Sequence, residues 1–169
     1  MHPETPPEGQ SLEALFPGRT LQLEEMRRHL MRVAEMENLT LSDGKMIYNS
    51  RLAQELGKWA ESRGIGNEFH NGVFRAYFAE GKNIGKDSEL LLLAQSIGLP
   101  EEEAQDILIN RSFREAVDGD WDYSRRMGVT AVPTFKIDSQ KVVGAQPYEV
   151  LDQFMKTMGV KERPSGSYI

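Results

Sequence analysis

The sequence has no cysteine. For these 169 residues that removes disulfides, thiolate nucleophiles, Cys-ligated zinc and iron–sulfur clusters at once. Histidine is almost as scarce, with only His2, His29 and His70. Glu25 and His29 stand four apart on one helix face, but no third ligand accompanies them, and a surface i,i+4 pair is the plainer reading. No metal and no other cofactor is expected. No run approaches about 18 consecutive apolar residues, so no membrane-spanning helix is expected. Positive charge is in deficit: 20 Lys plus Arg against 26 Asp plus Glu leave a net charge of −6. Binding phosphates needs a basic face, so nucleic acid is not an expected partner. The opening Met1-His2-Pro3-Glu4-Thr5-Pro6-Pro7 lacks the basic and apolar regions of a signal peptide, which makes the expected location cytoplasmic.

What is present suits a soluble globular chain: 39% hydrophobic and 27% charged residues. Residues 1–19 are rich in Pro and Gly and are expected to be extended or looped. Leu23, Met26, Leu30, Val33 and Ala34 recur at helical spacing, predicting an amphipathic helix over 21–37. Further helices are expected from Asn49 or Ser50 to Arg63, from Asn67 to Glu80, from Asp87 or Ser88 to Ile97, and after Pro100. In the helix expected from Asn67, Phe69, Val73, Phe74, Tyr77 and Phe78 form a stripe that reads as core. Ser112-x-x-Glu115 matches a capping box and should open a helix ending near Met127. The pattern then changes: Val132 to Ile137 and Lys141 to Gly144 favour strands, joined at Asp138-Ser139-Gln140, and Pro147 starts a last helix. The organisation expected is therefore an N-terminal segment (1–19), a helical region (20–127), a strand–strand–helix region (128–158) and a polar tail (159–169). Two strands do not bury a face by themselves, so something must complete that sheet.

Chemical motifs are mostly near misses. Gly81-Lys82-Asn83-Ile84-Gly85-Lys86-Asp87 has three residues between its glycines, where a phosphate loop has four, and Asp where Ser or Thr should meet magnesium. Gly64-Ile65-Gly66 lacks the third glycine and preceding strand of a dinucleotide fingerprint. Asp118, Asp120 and Asp122 open like a calcium loop, but Tyr123 replaces the turn glycine and Val129 the closing Glu. No catalytic residue is assigned. The informative element is Val132-Pro133 at the entry to a strand, where proline is tolerated because it has no N–H to give a ladder.

In Gly128-Val129-Thr130-Ala131-Val132-Pro133-Thr134-Phe135 the chain resembles the cis-proline segment of the DsbA-like thioredoxin-fold family. Val143-Gly144-Ala145-Gln146-Pro147-Tyr148 resembles its next strand and terminal helix. Phe74 to Ile84 and Asn49-Ser50-Arg51-Leu52-Ala53 resemble parts of its helical insertion, and His2 to Gly9 the exit from its second strand. The nearest branch is the FrnE-like group, related to 2-hydroxychromene-2-carboxylate isomerases. The resemblance implies an α/β, thioredoxin-like fold of DsbA type, mostly helical, with a terminal β-hairpin and helix. It also implies that the N-terminal strand–helix–strand bearing a Cys-x-x-Cys pair is missing, so that the chain is expected to be truncated. The implied chemistry is thiol–disulfide exchange, which this Cys-free chain would not perform alone. A binding or dimerisation module and part of a glutathione-dependent isomerase are the alternatives. Val132 and Pro133 would then form the substrate platform for an extended peptide or a glutathione-like thiol. Asn49 and Ser50 match a motif that lies near the substrate or glutathione pocket in the related isomerases, and their plainer role is to cap a helix. A homodimer through an exposed sheet edge is the partner expected besides substrate.

Overall fold

The computed structural model describes residues 4–162. Its elements run β1 (Gln10–Ser11), α1 (Leu12–Leu15), α2 (Thr20–Met36), β2 (Met46–Ile47), α3 (Arg51–Ser62), α4 (Gly66–Phe74), a π-helical turn (Arg75–Ala79), α5 (Asp87–Ser96), α6 (Glu101–Asn110), α7 (Arg114–Arg126), β3 (Thr134–Ile137), β4 (Gln140–Val143) and α8 (Tyr148–Thr157). The chain divides into two compact units, one ending at Gly119 and the other beginning at Asp120. The sequence pattern changes at Gly128, whereas the units part inside α7.

The core lies in the first unit. Leu56, Trp59 and Ala60 of α3, Phe69 of α4, Leu90 and Ala94 of α5, and Ala104 and Leu108 of α6 are buried against one another. They recur at three- and four-residue steps, so each helix turns one stripe inward, and burying such stripes stabilises the unit. Glycine residues with positive φ (Gly64, Gly98) follow α3 and α5, where a left-handed residue lets the chain leave the helix.

Several expectations need correction. Residues 1–19 are not all extended or looped, since α1 lies among them, and Gln10–Ser11 pairs antiparallel with Met46–Ile47. Two-residue strands carry no legible period. The helix expected over 67–80 stops at Phe74 and widens into the π turn. The aromatic stripe does not hold: Phe69 is 0% exposed, whereas Phe74, the last residue of α4, and Phe78, inside the π turn, are 59% and 49% exposed. A π turn inserts a residue into the helical period and rotates the next side chains away from the original face. Phe74 and Phe78 meet each other, Phe78 meets Tyr77 edge-on at 4.8 Å, and Tyr77 meets Tyr48. The stripe of α2 is amphipathic as expected, yet Met26, Leu30 and Val33 are exposed and only Ala34 is buried. Ser112 does not start α7: the N–H of Val117 donates to the Phe113 carbonyl, so Phe113 stands immediately before the helix.

The second unit holds a hairpin. Thr134 pairs with Val143, Phe135 with Val142, Lys136 with Lys141 and Ile137 with Gln140. Its turn is Asp138-Ser139, with Asp138 at φ 51°, a left-handed conformation that short polar side chains tolerate. Gln140 belongs to β4 and not to the connecting loop. Lys136 and Lys141 are directly opposed like charges, which is unfavourable on its own. Lys141 Nζ donates to the Gly128 carbonyl at 3.0 Å and Lys136 Nζ reaches Met127 Sδ at 3.8 Å, so both ammoniums sit at the negative end of α7.

Candidate functional site

Val132 and Pro133 lie in the second unit, Asn49 and Ser50 in the first; each pair is described in its own surroundings. The Val132–Pro133 peptide bond is cis. Val132 is 86% exposed, while the Pro133 carbonyl accepts from the Gly144 N–H at 2.8 Å. Thr134 Oγ1 donates to the Ala131 carbonyl at 2.6 Å, which closes the bend leading into β3. In an antiparallel pair, residues whose main chains point at the partner alternate with residues whose main chains point away. Pro133, Phe135 and Ile137 are directed at β4, so Thr134 and Lys136 present their N–H and C=O groups to the opposite side. That row begins two residues after exposed Val132, and it can accept an extended polypeptide by strand addition.

Asn49 precedes α3. Its Oδ1 accepts from the Arg51 N–H at 2.9 Å and its Nδ2 donates to the Thr5 carbonyl at 3.4 Å. The oxygen thus satisfies one of the helix's free N–H groups. Ser50 makes no cap bond with its side chain and instead accepts from Gln54 Nε2 at 2.9 Å. Of the two, Asn49 is the capping residue.

Sequence reasoning missed two sets of residues. Asn83 repeats the arrangement of Asn49: its Oδ1 accepts from Gly85 N–H at 2.9 Å and its Nδ2 donates to the Pro7 carbonyl at 2.8 Å. The signal that could have found it is Asn83-Ile84-Gly85, an Asn-x-Gly turn inside the failed phosphate loop. Glu55 is the other: it is 1% exposed and bonded to Arg51 and Arg111. Its burial would raise the carboxyl pKa, but the hydrogen bonds from Arg111 and Arg51 prevail and hold it below the ordinary glutamate range. Tyr77 is pushed up by burial. Among the described residues, no three His, Asp or Glu side chains gather to hold a metal ion. Nor is any helix among them long and apolar enough to cross a membrane.

Residues 2–156 match the model of the DSBA-like thioredoxin domain. The chain belongs to that family. This DSBA-like chain is similar to the uncharacterized protein YwbO of Bacillus subtilis (strain 168), at 30% identity over 103 residues, which are 60% of this chain and 52% of that protein. It therefore spans about half the length of the curated relative it matches. Among solved structures, it is similar to a probable DsbA oxidoreductase from Streptomyces coelicolor, with a TM-score of 0.84 at 24% identity, covering 99% of this chain and 75% of that one. A 2-hydroxychromene-2-carboxylate isomerase matches with a TM-score of 0.68 at 20% identity, covering 89% and 70% respectively. At these identities the structural likenesses speak for the fold alone. The expected DsbA-type, mostly helical architecture is the one found, and this DSBA-like chain has no cysteine.

Proposed function

We propose that this chain is the substrate-holding part of a thiol–disulfide exchange protein and is catalytically silent by itself. One observation carries the reading: a DSBA-like domain match over residues 2–156 falls on a sequence without cysteine. Thiol–disulfide exchange proceeds by thiolate attack on a disulfide sulfur, so a chain with no thiol cannot take the attacking role. What it offers is backbone. Exposed Val132 and the outward main chains of Thr134 and Lys136 supply donors and acceptors for an extended peptide or a glutathione-like thiol, with Pro133 setting the bend.

The test has two arms. In an insulin-reduction assay the chain alone gives no turnover above the uncatalysed rate; turnover overturns the reading. Titrated with reduced glutathione and separately with a short extended apolar peptide, the amides of Val132, Thr134 and Lys136 shift with at least one of them. If neither moves these amides, Val132 and Pro133 are not a substrate platform.

A second reading, a non-catalytic module that self-associates through a sheet edge, is favoured by the hairpin itself. It has two strands, no residue of which is buried, and unpaired edges recruit further strands. Sedimentation separates the two readings: a dimer broken by Thr134→Pro supports the module, and a monomer at all concentrations removes it.

A further inference from the structure

In Asp43-Gly44, Asn71-Gly72 and Asp118-Gly119 a glycine follows a side chain whose carbonyl carbon the next backbone nitrogen can attack. Glycine shields that nitrogen least, because it has no Cβ. In sequence the three pairs look alike; the fold separates them.

Two of the pairs lie inside helices. Gly72 belongs to α4 and Gly119 to α7, where the backbone N–H is committed to the carbonyl four residues back. Gly72 is also packed, since a Cβ built on it would lie 2.5 Å from Leu93 Cδ1. Arginines hold the Asp118 carboxylate, with Oδ1 2.7 Å from Arg51 Nη1 and Oδ2 3.9 Å from Arg114 Nε.

Asp43-Gly44 lies in the loop between α2 and β2. Gly44 has φ +59°, nothing within 4 Å of a built Cβ, and an N–H that donates to nothing among the described residues. The Asp43 carboxylate folds back over this peptide: Oδ1 accepts from the Lys45 N–H at 3.4 Å, and Oδ2 stands 3.6 Å from Lys45 Nζ. A side chain bonded to the amide two residues on brings its Cγ toward the amide in between. The Asp43–Lys45 pair is mostly exposed, so water reaches the site and the pair restrains it little.

We propose that Asp43-Gly44 is a covalent modification site, where the folded chain forms a succinimide and then isoaspartate, while α4 and α7 keep the other two pairs closed. The Gly44 nitrogen bonds to Asp43 Cγ, and the hydroxyl of the protonated carboxyl leaves with the nitrogen's proton as water. Water then opens the ring. Cleavage of the new Cγ–N bond restores aspartate. Cleavage between the Asp43 carbonyl carbon and the Gly44 nitrogen leaves a main chain running through Cβ and Cγ, with a free α-carboxylate. The water released is taken up again, and nothing is oxidised or reduced. The isoaspartyl main chain is one atom longer just ahead of β2, where the Lys45 carbonyl accepts from the Leu12 N–H at 2.9 Å and Met46 pairs with Ser11. The product therefore loosens the β1–β2 pairing and leaves the core intact.

The experiment incubates the full folded chain at mildly acidic pH, labels isoaspartyl groups with an isoaspartate-specific methyltransferase, and locates them by electron-transfer fragmentation of its peptides. Isoaspartate is expected at Asp43 and not at Asp118 in the folded chain, and at both in urea. Asp43→Asn closes the same ring by losing ammonia, and should do so at least about tenfold faster than Asn71, which reacts only when α4 opens. In the isoaspartyl fraction the Leu12 amide exchanges several-fold faster and the Leu56 amide is unchanged. A folded chain without isoaspartate at Asp43, or with equal amounts at Asp43 and Asp118, overturns the proposal. So does an Asp43→Asn variant that loses ammonia there no faster than at Asn71. A Leu12 amide unmoved by the modification overturns its effect on β1 and β2.

Discussion

Arg111 grips Glu55 with both arms: Nε donates to Oε2 and Nη2 to Oε1, each at 2.7 Å. Arg51 adds a bond from Nε to Oε1 at 2.6 Å, then reaches the Arg114 carbonyl at 2.8 Å and Asp118 Oδ1 at 2.7 Å. One buried carboxylate thereby joins α3, the residue that ends α6 and the first turns of α7. Arg111 itself adopts φ 53°, where non-glycine residues are uncommon. Its forked pairing holds that corner.

Removing the carboxylate leaves two guanidinium groups close together with their shared partner gone. Glu55→Ala is expected to lower unfolding free energy by about 3–5 kcal/mol, as breaking a buried ion pair does. Urea denaturation measures it. A loss under about 1 kcal/mol would mean that water serves the arginines as well as Glu55 does.

The same carboxylate gives stability an acid limb. Its pKa is lowered in the folded chain, against the desolvation that would raise it, by Arg111 and Arg51. A depressed pKa contributes stability above the unfolded-state value of about 4.3, and that contribution fades as pH falls toward the folded value. The melting temperature of the native chain should therefore fall on acidification below about pH 4 more steeply than that of Glu55→Gln. Parallel acid limbs would assign the loss to other carboxylates.

Phe69 and Phe74 share one predicted stripe and should part company on mutation. Phe69→Ala empties a fully buried site and costs about 3–5 kcal/mol. Phe74→Ala removes a ring that is 59% exposed and costs under about 1 kcal/mol. Equal losses in chemical denaturation would place Phe74 in the core.

The divergence of these two residues marks where the sequence stops being readable. Hydrophobic period revealed α3 and the start of α4 because their stripes face a common core, while α5 and α6 were legible through their end signals, Asp87 or Ser88 with Gly98 and Pro100 with Glu101 to Glu103. The strand pattern of Val132 to Val143 was equally plain, since β-branched and aromatic residues cluster there on either side of Asp138-Ser139. A π turn has no composition of its own, so nothing in Arg75-Ala76-Tyr77-Phe78-Ala79 announces the rotation of Phe78. Glu55 looks in the sequence like an outward charge beside Leu56, because its partner Arg111 is 56 residues away and only the tertiary fold joins them. Asn49 was legible as a cap through residue type, but its second partner, Thr5, was not. Pro133 stood out because so few places tolerate proline beside a strand.

Two glycines should respond to alanine with opposite signs. Gly85→Ala brings a Cβ to 2.9 Å from the Asn49 carbonyl and 3.1 Å from Asn83 Oδ1, and is expected to cost about 1–3 kcal/mol. Gly119 lies inside α7 with nothing within 4 Å of a built Cβ. There Gly119→Ala improves helix propensity and should stabilise by about 0.5–1 kcal/mol. Thermal melts of the two variants decide both signs, and destabilisation by Gly119→Ala would show that this glycine serves the helix by bending.

Val117 is the last buried residue along the described chain, and this sets where native structure is weakest. From Asp120 to the end of the described residues, α7, the β3–β4 hairpin and α8 hold no buried side chain, and an isolated hairpin is marginal in water. Stability against local opening follows burial. The amides of Phe135 and Val142, bonded across the hairpin, are therefore expected to exchange at least about 100-fold faster than those of Leu56 and Trp59. Proteolysis under native conditions should cut first between Asp120 and Val143 and leave a resistant product ending near Gly119. Addition of a ligand that pairs with β3 should slow exchange at Thr134 and Lys136, whose main chains point outward, and slow cleavage with it. Hairpin amides as well protected as those of α3 in the free chain would show that β3 and β4 are already covered in solution.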